Sequence, residues 1–144
     1  MKVTSIRTQA YRFELKRPCG DANNPRGWRR GLGLAVFVDT DEGITGNAVT
    51  ACNLRQDIVA FGSCLIGQDP RGVRGLWKRM VDQAFKGGAE GYAAQAIAAL
   101  DIALWDIKAK ANNEPLWRTL GASIPRVKVY ASGIDLPLLS LIHI

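Results

Sequence analysis

The sequence predicts an α+β fold, a three-stranded antiparallel sheet packed on a helical bundle. Two observations carry this. Strand patterns come first: Leu32, Leu34, Val36 and Val38 alternate with Gly33, Ala35 and Phe37, and the acidic turn "DTDEG" sends "ITGNAV" back as a partner strand. Helical patterns follow, with apolar residues three and four apart from Leu54 to Ile107.

The elements can be justified in order. Residues 2–13 read as the first strand, because Val3, Ile6, Tyr11 and Phe13 are β-formers without helical spacing. "KRPCGDANNPRGWRRG", residues 16–31, reads as a long loop from its Pro, Gly, Asn and Asp content. Such length points to function or disorder. After the hairpin, Leu54, Ile58, Phe61 and Leu65 form one helical stripe, weakened by Gly62 and ended by Gly67. Asp69 as N-cap and Pro70 at the first position open the next helix. Val73, Leu76, Trp77, Met80, Val81 and Phe85 form its expected buried side, and Gly87-Gly88 its end.

The helix at 93–113 is apolar on two faces. Ala96, Ile97, Leu100, Ala103, Leu104 and Ile107 make one; Ala94, Ala98, Ile102, Trp105 and Ala109 make the other. Two coverings are therefore expected, the sheet and something else. Asp106 and Lys110 form an i,i+4 pair, and Asp101 among apolar neighbours needs a hydrogen bond. Structural roles outweigh catalytic ones for both acids. Asn112-Asn113 suits the C-terminal cap, Pro115 forbids continuation, and "PLWRTLGA" adds a short helical turn closing at Gly121. "RVKVYASGI" alternates as a new strand, opening another domain.

Composition narrows the function. The 144 residues are 47% apolar and 22% charged, as in a folded globular protein. No apolar run is long enough to span a bilayer. The N-terminus has no signal-peptide h-region, so a cytoplasmic location is expected. Cys19, Cys52 and Cys64 are odd in number and lack a C-x-x-C pair, which argues against disulfides and zinc. The net charge of +6 concentrates between Lys16 and Arg30, where five cations face one anion. No nucleic-acid motif accompanies them, and a loop that draws in a small carboxylate is the functional reading to set beside a solvated loop.

The run "AAQAIAALDIALWDIKAKANNEPLWRTLGAS" followed by "RVKVYASG" resembles the mandelate racemase and muconate-lactonising branch of the enolase superfamily. "GQDPRGVRGLWKRM", "MKVTSIRTQAYRF" and "FVDTDEGITGNA" are similar to its earlier elements. The resemblance implies an enolase N-terminal-like capping domain at 1–114. Residues 115–144 would then be a linker and the first strand of an absent TIM barrel, in a truncated chain whose tail from Leu139 to Ile144 departs from the family.

It further implies a parent enzyme that abstracts a proton α to a carboxylate, as an acid-sugar dehydratase or a racemase. That parent would bind Mg²⁺, act on a small carboxylate (an acid sugar or 2-hydroxy acid) and form a homo-oligomer, with no nucleic-acid or membrane partner. The family's bases and metal ligands have no match here, so no catalytic or metal residue is assigned, no Mg²⁺ is expected on this chain, and the chain alone should be inactive. The loop from Lys16 to Arg30 matches the lid over the barrel mouth, which makes Asp21, Asn23, Trp28 and Arg29 the candidate substrate contacts. Residues 47–53 match a second, shorter covering loop. The competing reading is a stand-alone α+β binding module whose basic loop takes an anionic partner.

Overall fold

The computed structural model of the chain describes residues 1–21, 24–88 and 90–130, without the side chains of Asp21 and Pro25. Strands β1 (Val3–Asp21), β2 (Asn24–Thr40) and β3 (Thr45–Ala51) form one sheet in the order β1-β2-β3. Helices α1 (Arg55–Gly62), α2 (Val73–Gln83), α3 (Gly91–Ala111) and α4 (Leu116–Thr119) follow, with 3₁₀ turns at Cys52–Leu54 and Ser63–Leu65. The chain divides into two compact units. One joins Met1–Tyr11 to Gly33–Pro125; the other comprises Arg12–Leu32 and the chain from Arg126 onward.

In the first unit the β2–β3 hairpin pairs antiparallel from Gly33↔Ala51 to Asp39↔Thr45. Gly43, at φ 77°, takes the left-handed position of the acidic turn, whose ends close by Thr40 N–H donating to Ile44 O at 3.1 Å. Leu34, Val36 and Val38 are fully buried, as their alternation requires. Leu32 is not: it lies one residue before the β2–β3 pairing begins and is 59% exposed. β1 is tied to the segment after α1, where Val3 N–H donates to Gln68 O and Gly67 N–H to Val3 O.

Helix α3 is the hub, packing on β3, α1, α2 and α4. Its first face (Ala96, Ile97, Leu100, Ala103, Leu104 and Ile107) is buried throughout. Gly46 lets β3 come close: a Cβ there would fall onto the Ala103 carbonyl oxygen and within 2.7 Å of Ile107 Cγ1. A polar strap joins the same elements. Asp106 accepts from Asn47 N–H at 2.9 Å and from Lys110 Nζ at 2.6 Å, and Lys110 also donates to Thr45 O. The second face divides. Ala109 is buried and Trp105 half-buried, but Ala98 and Ile102 are exposed. Asn112 caps the helix and Asn113 follows at φ 51°, so the asparagine pair ends it as expected.

Four expectations need correction. Residues 16–31 are not a loop: β1 runs through 16–21 and β2 through 24–31 as a two-stranded ribbon. Their glycines serve close approach between strands, since a Cβ on Gly20 would lie 2.5 Å from Asn24 O and 2.7 Å from Gly27 Cα. Residues 47–51 belong to β3 and 52–54 to a 3₁₀ turn, so the second covering loop is regular structure. Asp69 is not the cap of α2. It closes a turn one step earlier, accepting from Arg71 N–H at 3.0 Å, and the helix starts from Gly72. Lastly, the buried side of α2 is narrower than its pattern. Val73, Leu76 and Met80 are buried, whereas Trp77 is 47% and Phe85, beyond the helix end, 84% exposed.

Helix α4 and Gly121, at φ 85°, form the predicted closing turn. Residues 126–130 make no ladder with β1–β3, and the rest of that expected strand lies outside the described residues.

Candidate functional site

The ribbon of the second unit carries the candidate lid. Its strands can hold register because Gly31 leaves room for the Phe13 ring, which lies where a Cβ would be. Phe13 in turn meets the Trp28 ring edge-on, with centroids 6.2 Å apart and planes at 71°. Trp28 remains 42% exposed, so one part of its ring is fixed by Phe13 and another is open to solvent. Arg29 follows it on β2 and is exposed. Gly27, at φ 66°, gives the backbone the left-handed turn just before them, and a Cβ there would lie 3.0 Å from Cys19 O.

Of the four candidate contacts, then, Trp28 and Arg29 are adjacent on a structured strand. Asp21 ends β1, with its side chain outside the described set, and Asn23 lies outside the described residues. Arg30 is partly neutralised, its Nε donating to Glu14 Oε1 at 2.9 Å, an exposed pair of little energetic weight. Sequence reading missed Phe13 as the support of Trp28 and a groove of ≈ 430 Å³ lined by Arg12, Arg30, Gly31 and Leu32. The signal that could have found Phe13 is the alternation of Tyr11 and Phe13 against that of Gly31 and Gly33, aromatic on one strand and glycine on the next.

The carboxylates of the first unit are committed to structure. Asp39 accepts from Ser5 Oγ, Thr45 Oγ1 and Arg7 Nε and Nη2, and the Arg7 guanidinium holds it well below the usual carboxylate range, against an opposing effect of burial. Arg71 lowers Asp69 to about 2. Glu114 is lowered by hydrogen bonds from Thr119 and Asn112. Asp101 differs, because burial pushes it up against a smaller opposing influence of the neighbouring Trp105. Among the described residues no three His, Cys, Asp or Glu side chains converge on a point that could hold a metal. These residues therefore do not fit a magnesium site. The three cysteines are not bridged by disulfides and are of intermediate exposure, and burial raises Cys64.

With this geometry in hand, the chain can be compared with known proteins. The profile of the mandelate racemase / muconate lactonizing enzyme N-terminal domain matches residues 33–121. The 3,6-anhydro-alpha-L-galactonate cycloisomerase of Streptomyces coelicolor is 32% identical over 146 residues, which is 94% of this chain and 39% of that protein. The D-galactonate dehydratase of Klebsiella pneumoniae is 39% identical over 104 residues, 68% of this chain and 27% of that one. A racemase from Streptomyces coelicolor, crystallised with bound magnesium, superposes with a TM-score of 0.83 at 30% identity, over 94% of this chain and 40% of the other. The chain thus spans 40% or less of the length of each of these relatives.

Proposed function

The chain belongs to the mandelate racemase / muconate lactonizing enzyme family, and from that premise we propose that it is the capping part of an enzyme that abstracts a proton α to the carboxylate of an acid sugar. In this reading the chain supplies recognition and water exclusion, and a barrel outside it would supply the base and hold a Mg²⁺ ion, whose charge would offset that of the deprotonated substrate. The outcome of the parent reaction is dehydration, or else racemisation or cycloisomerisation. Relatives named for galactonate and anhydrogalactonate chemistry support the substrate class.

One observation carries the assignment of the lid. The ribbon Arg12–Leu32 belongs to a unit of its own and carries an anchored aromatic, Trp28, and an exposed cation, Arg29, at successive positions of one strand. A guanidinium grips a carboxylate through two parallel hydrogen bonds. The Trp28 indole supplies apolar surface that excludes water. Asp21 and Asn23 would take hydroxyls of the substrate in this reading.

The test is a chimera that sets residues 1–125 of this chain before the remainder of the Streptomyces cycloisomerase. Arg29→Ala should raise KM for the sugar acid by about tenfold while kcat changes little, the loss of one charge-assisted contact. If neither Arg29→Ala nor Trp28→Ala moves KM, the ribbon is no substrate lid. The 144-residue chain by itself, with Mg²⁺ and D-galactonate in deuterated water, should exchange no α-proton; exchange would show that it carries a base of its own.

A further inference from the structure

The first unit holds a second concave feature that the lid reading does not use. Between α2 and α3 lies a cleft of ≈ 430 Å³ lined by Val73, Arg74, Trp77, Lys78, Asp101 and Trp105. We infer that this cleft is a separate ligand site, built for a small polyhydroxylated carboxylate.

Each part of such a ligand meets a matching group. Arg74 is exposed at the cleft and offers a planar fork of donors to a carboxylate. Lys78 is held by Asp82 at 2.7 Å and is largely neutralised by it, which leaves Arg74 as the cation of the cleft that a carboxylate would meet. Asp101 is half-buried and lines the same cleft as Trp105. A carboxylate has room for about four hydrogen bonds, so Asp101 can take hydroxyl donors. Its burial makes an added donor worth more than at a solvated site, and its raised proton affinity agrees with that lack of solvent.

Trp77 and Trp105 supply aromatic surface for the C–H faces of a polyol chain. Trp105 is the steadier of the two, because it is half-buried and Lys108 Nζ sits 5.1 Å from its ring centroid. Trp77, at 47% exposure, is a large apolar ring left in water beside an open cleft. A hydrocarbon acid would leave Asp101 without donors, and a neutral sugar would leave Arg74 without an anion. The combination of groups selects the molecule that has both.

The test uses the intact chain and tryptophan fluorescence, titrated with D-galactonate, D-galactose and hexanoate in parallel. D-Galactonate should give a saturable change, and each of the other two should bind at least about tenfold more weakly, the worth of one charge-assisted hydrogen bond. Arg74→Ala, at an exposed position, and the isosteric Asp101→Asn should each weaken D-galactonate by a similar factor. Trp105→Phe should remove most of the signal. Lys86→Ala, an exposed cation outside the cleft, should change nothing. The inference is overturned if D-galactonate gives no saturable change, if the three compounds respond alike, or if binding survives both Arg74→Ala and Asp101→Asn.

Discussion

At the scale of single residues, Asp39 does the most for the sheet. Its carboxylate gathers Ser5 and Arg7 from β1 and Thr45 from β3, and it sits on β2 between them. Since Arg7 holds its pKa below the ordinary carboxylate value, the folded state binds fewer protons than the unfolded one as the solution is acidified. The sign follows: the stability Asp39 contributes is complete above the unfolded pKa of about 4 and is lost as pH falls below it. Asp69, lowered to about 2 by Arg71, acts in the same direction but at the exposed surface, where it counts for less. Asp101 acts oppositely, because burial raises it. Thermal unfolding followed from about pH 6 to about pH 2 should therefore show a falling midpoint in the native chain, and Asp39→Asn should start lower and fall less steeply. An unchanged slope in the variant would remove Asp39 from this account. None of this was legible beforehand: Ser5, Arg7 and Thr45 lie 34, 32 and 6 residues from Asp39, and only the strand register brings them together.

At the scale of elements, what sequence could and could not say divides by the range of the interaction. Helix α3 was readable because its determinants are local: the wheel positions of its first face, the asparagine cap and the proline stop all lie within a few turns. The ribbon was not, since its glycines carry turn chemistry when read singly and cross-strand fit only when paired with Tyr11 and Phe13 some twenty residues away. The form of the proposed lid was therefore not legible: a strand pair replaces the expected loop, and Trp28 rests on a ring that no local pattern connects to it. The start of α2 shifted because Asp69 spent its oxygens on Arg71. Gly46 is the sharpest case of a long-range demand, since it stands against the Ala103 carbonyl, a backbone atom that cannot swing aside. Gly46→Ala should part β3 from α3 and lower stability by about 2–4 kcal/mol, the range of overpacking and backbone displacement in a core. Gly43→Ala, with nothing near its Cβ but φ at 77°, should cost about 1 kcal/mol through conformation alone. Urea midpoints for the two variants distinguish steric from conformational cost, and equal losses would refute the close-packing argument.

At the scale of the whole molecule, the decisive feature is apolar surface that the described residues leave uncovered. A groove of ≈ 440 Å³ runs between the sheet and α3, lined by Ala35, Phe37, Asn47, Ala48, Val49 and Ile102. Val49 is 67% and Ile102 49% exposed, so two aliphatic side chains on neighbouring elements face water together. Burying one such side chain is worth about 1.5–3 kcal/mol, and a contiguous patch drives association where single exposed residues do not. The adjacent edge of β3 is guarded only in part. Asp106 and Lys110 occupy the Asn47 N–H and Thr45 carbonyl, a polar block against strand addition at the start of β3, while Val49 lies beyond it. The chain should accordingly self-associate as its concentration rises, with the groove as the contact. The double variant Val49→Thr, Ile102→Gln keeps strand and helix propensity while removing the apolar pair, and should sediment as a smaller species at the same concentration. Its urea midpoint should stay within about 0.5 kcal/mol of the parent's, as for surface positions outside the core. If instead the variant associates as strongly as the parent, the uncovered second face of α3 is not what brings copies together; if it unfolds, Ile102 belongs to the core after all and the two-faced reading of that helix fails.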